Sequence, residues 1–204
     1  MIRSLLRNTR LRLIEGGAAA LPSPLPWLDP PPGPWTVERA YQHCETFARA
    51  HQENFPVASR FVPGPLRPHV MALYAFARAA DDFATLPQYR GNRTQALDVW
   101  QEELLRCFHG EPRHPVFIAL HDTIEKRGLP LPPFEHLLSA FRADLQVKRY
   151  ATFAALRAYT TRSAEPAGRL LLAMFGYHDP EFVRFADEIS TAVQLTDHWQ
   201  DVAA

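Results

Sequence analysis

From Val37 onward, apolar residues recur at three- and four-residue steps, the spacing of one helix face. Val37, Ala40, Tyr41, Cys44, Phe47 and Ala48 form the first such stripe, with Thr36 placed to cap it. Pro56 ends this segment, since the residue before a proline avoids helical geometry. Pro63-Gly64-Pro65 marks a turn, and Pro68 suits the first turn of a helix running to Leu86. A helix from Thr94 to Phe108 should bury Ala96, Val99, Trp100, Leu104 and Cys107 before Gly110 and Pro112 close it. Pro115 opens another, with Val116, Ala119, Leu120, Thr123 and Ile124 inward and Gly128 as its stop. Pro132 or Pro133 starts the next, with Phe134, Leu137, Leu138, Phe141 and Leu145 as its stripe. Asp144 and Lys148, four apart, are spaced to pair.

The stretch from Thr152 to Phe175 is helical but interrupted at Glu165-Pro166-Ala167-Gly168. Gly176 ends it, and Pro180 starts a last helix. No segment has a strand-hairpin pattern and no repeat period appears. These elements predict an all-α bundle of seven or eight helices.

Two places break the apolar rhythm with acid. Tyr74 to Thr85 is an apolar helix ending in adjacent carboxylates, Asp81 and Asp82. Burying them is costly unless something neutralises them, and Arg78, four residues before Asp82, can offset one charge. In the last helix, Ile189, Val193, Asp197 and Asp201 form a four-residue ladder, while Gln194, Asp197 and Asp201 share an i, i+3, i+7 face. Apolar packing giving way to carboxylates on one stripe is how a bundle core becomes a polar cavity. Two such helices suit a hard cation, and Mg²⁺ commonly bridges carboxylates to phosphate oxygens.

Composition narrows the classes. The 204 residues carry 22 basic and 22 acidic side chains, so nothing points to a nucleic-acid partner. No apolar run approaches the roughly 20 residues of a membrane span. Cys44 and Cys107 lack metal-ligand spacing and read as buried thiols in a reducing compartment. Residues 1–34 combine a basic start (Arg3, Arg7, Arg10, Arg12) with seven prolines from Pro22 to Pro34. That reads as a loose basic arm, with peripheral membrane contact in view, followed by a stiff linker. The folded domain is expected over 35–204.

The run from His51 to Ser59, followed by Tyr74-Ala-Phe-Ala-Arg78-Ala-Ala-Asp81-Asp82, resembles the start of squalene/phytoene synthases. Phe141 to Asp144 through Arg149-Tyr150-Ala-Thr, Tyr159 to Leu170, and Gln194-Leu-Thr-Asp197-His-Trp-Gln-Asp201-Val resemble their middle, kinked central helix and second aspartate-rich motif. Within that family the likeness is greatest to the bacterial hydroxysqualene synthase branch of the hopanoid pathway. The resemblance implies an isoprenoid-synthase helical bundle with a central cavity. It also implies Mg²⁺ held by Asp81, Asp82, Asp197 and Asp201, and a prenyl diphosphate substrate, presqualene diphosphate first among them. Asp81, Asp82 and Tyr159 take catalytic roles on this reading. His51, Asn54, Phe55, Tyr74, Arg78, Asp144, Tyr150 and Gln194 contact substrate.

Three departures accompany the likeness. Thr85 stands where the family carries a further carboxylate, Asp197 stands for an asparagine, and the chain stops at Ala204 where relatives continue. The expectation is therefore a bundle lacking its final helices, at work in the cytoplasm. The alternatives are a catalytically impaired relative serving as a helical assembly module, and a phytoene or head-to-head squalene synthase.

Overall fold

In the computed structural model, residues 33–51, 61–147 and 149–202 are described. Among them are eight α-helices and no strand: α1 (Val37–Ala50), α2 (Arg67–Thr85), α3 (Arg93–Phe108), α4 (Pro115–Arg127), α5 (Leu131–Gln146), α6 (Phe153–Ser163), α7 (Glu165–Met174) and α8 (Pro180–Val202). The all-α expectation holds. Its punctuation has visible causes. Thr36 accepts a hydrogen bond from the Arg39 amide and starts α1. Gly128 closes α4 in the left-handed conformation at φ 62°, where a Cβ would be strained. Thr152 caps α6 through the Ala155 amide, and the chain breaks at Ala164 before restarting as α7 with Pro166 in its first turn.

α2 is the axis of the molecule. Every residue from His69 to Ala84 is buried, with α1, α3, α4 and α5 packed around it. Phe76 sits at the centre, its ring 5.4 Å from Phe134, 5.9 Å from Phe117 and 6.3 Å from Trp100. The Trp100 indole donates to the Phe76 carbonyl at 3.2 Å, so this buried polar group is satisfied. Cys44 and Cys107 are free, fully buried thiols, and burial pushes both pKa values up to about 12.

α8 is attached differently. It packs on α7 and α6, with little contact to α2. Its buried face is Ser190, Thr191, Gln194 and Leu195. This corrects the expected ladder: Ile189 is 61% exposed and Val193 is only half-buried, so that line is not the packing face. A second apolar row, Phe182, Phe185, Ile189 and Trp199, points outward from α8. The expected Asp144–Lys148 pair involves Lys148, which lies outside the described residues. No helix among the described residues is long and apolar enough to cross a membrane.

Candidate active site

Asp81 and Asp82 lie in the last turns of α2, each 6% exposed. The negative end of the helix dipole falls there, and the last turn holds no basic residue, so each carboxylate is penalised by burial and by the helix itself. Two groups compensate Asp82. Arg78, buried one turn earlier, brings Nη2 to 2.8 Å from Oδ1. His51, just past α1, places Nε2 3.1 Å from Oδ2, while its Nδ1 lies 2.9 Å from the Phe47 carbonyl. Burial acts to lower the His51 pKa, but the contacts to Asp82 and the Phe47 carbonyl outweigh it and leave the value raised.

The Arg78–Asp82 contact is an ion pair without hydrogen-bond alignment, and Oδ1 is a buried oxygen with no hydrogen-bond partner among the described residues. That oxygen tests the fit of a cation: paired by charge with Arg78 but not saturated by hydrogen bonds, it keeps lone-pair capacity that a metal could use. Tyr74 completes this group, its phenol pKa raised by burial first and by the charges of Asp82 and Asp81, against the opposing effect of Arg78. Thr85 supplies no carboxylate, and its hydroxyl donates to the Asp81 carbonyl at 2.8 Å.

A second group forms around α6. The Tyr159 hydroxyl donates to Asp144 of α5 at 3.3 Å. The Tyr159 ring lies 5.0 Å from that of Tyr150 and 6.0 Å from the imidazole of His198 on α8. Gln194 is 1% exposed, and its Nε2 has no hydrogen-bond partner among the described residues. Asp197 is half-buried on the same helix. Asn54 and Phe55 lie outside the described residues, as does the side chain of Asp201.

The structure therefore brings His51, Tyr74, Arg78, Asp81 and Asp82 together, and separately Asp144, Tyr150 and Tyr159. Among the described residues, no three His, Cys, Asp or Glu side chains gather closely enough to cage a metal on their own. Mg²⁺ does not require such a cage, being commonly held by one or two carboxylates plus substrate phosphates and waters. The carboxylates present suit that arrangement. A cleft of about 450 Å³ opens elsewhere, between α1 and the start of α2, lined by Tyr41, Arg67, His69 and Lys126. It lies some 12 residues, about 18 Å along the helix, from Asp81.

The model of the squalene/phytoene synthase family matches residues 48–204. The chain belongs to the squalene/phytoene synthase family. Hydroxysqualene synthase of Zymomonas mobilis is 35% identical over 157 residues, covering 75% of this chain and 52% of that protein. Phytoene synthase of Arthrospira platensis is 30% identical, covering 72% and 48%. Among solved structures, squalene synthase HpnC from Alicyclobacillus acidocaldarius superposes with a TM-score of 0.78 at 43% identity, covering 81% of this chain and 62% of that one. A dehydrosqualene synthase solved with ligand gives 0.70 at 27% identity, covering 79% and 56%. The isoprenoid-synthase fold is thereby shown. The chain spans about half the length of the curated relatives it matches.

Sequence reasoning paired Arg78 with Asp82 by spacing but missed three arrangements. The His51–Asp82 contact joins residues 31 apart and has no periodic signal. His198 sits inside the second acidic motif, and its ring approaches Tyr159, a placement the motif does not announce. The third is a charged cluster at the helix break. Glu165, 4% exposed, receives Arg157 Nη1 and the Thr191 hydroxyl on Oε1. Arg169 donates from Nε and Nη2 to the two oxygens of Asp187 at 2.8 and 2.6 Å.

Proposed function

We propose that this chain is a Mg²⁺-dependent synthase acting on prenyl diphosphates, converting presqualene diphosphate to hydroxysqualene with release of diphosphate in the hopanoid pathway. The observation that carries the reading is the buried Asp81–Asp82 pair at the electronegative end of α2, with Arg78 and His51 both set against Asp82 among the described residues. Asp81 and Asp82, with Asp197 and Asp201 from α8, would hold the metal. When bound, Mg²⁺ supplies charge neutralisation to a departing diphosphate.

In this reading the substrate's C–O bond breaks and its electron pair leaves with the diphosphate. The cyclopropylcarbinyl cation then rearranges, and water adds with loss of one proton to give a C30 alcohol. Arg78 stands beside the carboxylates that would hold the metal and offsets charge there. His51, when protonated, adds a second positive charge at Asp82. The faces of Tyr150, Tyr159 and Tyr74 can stabilise a carbocation without donating a nucleophile to it. Tyr159 is held by Asp144, which fixes the ring's attitude.

Incubating the purified protein with presqualene diphosphate and Mg²⁺ should release diphosphate and hydroxysqualene, and chelation should stop both. A folded protein that makes no product beside an active control sinks the proposal. Product analysis with farnesyl or geranylgeranyl diphosphate distinguishes head-to-head squalene or phytoene synthesis.

A second reading rests on the outward row Phe182, Phe185, Ile189 and Trp199. Those exposed side chains suit a helical assembly module in which turnover is lost. A partner retained on pull-down, indifferent to Asp81→Ala, would favour it.

A further inference from the structure

α8 carries half of the acidic motifs, yet its buried face is Ser190, Thr191, Gln194 and a single apolar residue, Leu195. Apolar burial alone therefore does little to fix its rotation, and it makes little contact with α2. A helix turns about 100° per residue, so slippage by one position would carry Gln194 away from the bundle. Something else must define its attitude.

Three contacts between α7 and α8 do so. The Arg169 fork holds Asp187 through two parallel bonds, a geometry that fixes orientation as well as distance. One turn further along α8, the Thr191 hydroxyl donates to Glu165 at 3.1 Å and lies 3.1 Å from Thr160. Glu165 is in turn held by Arg157, with Arg169 Nη2 3.6 Å from its other oxygen. Between these anchors, Gly168 faces Ser190. A Cβ added there would stand 2.3 Å from the Ser190 hydroxyl and 3.3 Å from the Ala186 carbonyl, so a larger residue needs the hydroxyl to turn aside and the α8 backbone to give way slightly. Asp187, Thr191, Gln194 and His198 follow one another at steps of four, three and four residues, so the anchored side of α8 is also the side of Gln194 and His198.

We propose that Glu165, Gly168 and Arg169 of α7, closing on Asp187, Ser190 and Thr191 of α8, are positioning residues that set the rotation and depth of α8 and so present Gln194 and Asp197 to the α2 carboxylates. This rests on the reading of α2 and α8 as the two sides of a diphosphate–Mg²⁺ site. None of the clamp residues need touch substrate.

Gly168→Ala is the sharpest probe, because the obstruction it introduces has a specific remedy. Ser190→Ala removes the hydroxyl it strikes and leaves a Cβ contact of 3.5 Å and the tighter 3.3 Å approach to the Ala186 carbonyl. Two measurements follow each variant: calorimetric binding of inorganic diphosphate at fixed Mg²⁺, and hydrogen exchange of the α8 and α2 amides. Gly168→Ala should weaken diphosphate binding by about 10-fold or more, the range seen when groups that orient metal ligands are lost. It should accelerate exchange in α8 but not in α2, and adding Ser190→Ala should recover most of both readouts, the approach to the Ala186 carbonyl being left in place. Where Gly168→Ala fails to fold, the reversed pair Arg169→Asp with Asp187→Arg decides: each single change should release α8 and the double change should recover it. Wild-type affinity and α8 protection in Gly168→Ala, or in both single changes of the reversed pair, overturn the proposal. So does loss of α2 protection in step with α8, which marks a general stabilising role. Should the wild type bind no diphosphate, the functional reading fails, and α8 exchange alone decides whether the clamp exists.

Discussion

α2 and α8 each carry a pair of carboxylates, and they are held by opposite means. α2 is buried on all sides from His69 to Ala84, locked by aromatic packing around Phe76 and by the Trp100–Phe76 hydrogen bond. α8 is docked by one forked arginine, a threonine and a glycine-wide gap, with aromatic residues facing outward. The difference teaches that one side of the candidate site is part of the core, whereas the other is an attachment to it. Dense packing lets α2 tolerate costly charges without moving. Directional polar contacts give α8 a defined attitude without deep burial.

The comparison breaks most visibly at Phe76. Phe76→Ala should lower the unfolding free energy by about 3–5 kcal/mol, measured by urea titration, because it opens a cavity where α2, α3, α4 and α5 meet. Next in size, Asp81→Ala should reduce turnover of presqualene diphosphate by about 100-fold or more while the melting temperature holds or rises, since a buried charge at a helix C-terminus is removed. A melting temperature that collapses would show that Asp81 is structural.

His51→Gln sharpens the α2 side. The raised pKa of His51 means the folded state binds its proton more tightly than the unfolded chain. Its contribution is full below about pH 6.5 and is lost as pH rises through the raised value. Denaturation from pH 6 to pH 9 should therefore show stability falling with pH in the wild type and a flatter profile in the variant. At the small end, Ile189→Ser on the outer row of α8 should change the stability of the isolated chain by only about 0.5 kcal/mol. A large loss there would show that this row is covered.

Most helices were legible because proline and glycine mark their ends. Pro115, Gly128, Pro166 and Gly176 stand where the chain starts or stops a helix. The acid pair on α2 was legible for a similar reason, since the apolar run before it leaves no solvated face. α8 was misread because periodicity follows apolar residues, and here the face that packs is built of serine, threonine and glutamine. Hydroxyls that satisfy a buried glutamate look, in one dimension, like a solvent-facing surface. The His51–Asp82 contact and the burial of Glu165 against Arg157 and Thr191 escaped notice because those partners come from other helices, which no local pattern encodes.

The two tryptophans in these regions give the contrast an optical form. Trp100 is fully enclosed, its indole nitrogen engaged and its ring 4.5 Å from Phe117. Trp199 stands 61% exposed on α8. Collisional quenchers such as iodide should reach the second and spare the first. With Trp27 and Trp35 replaced by phenylalanine, the accessible emission should report α8 and the protected emission the core. Detachment of one helix could then be watched, by colour alone, before the rest of the molecule opens.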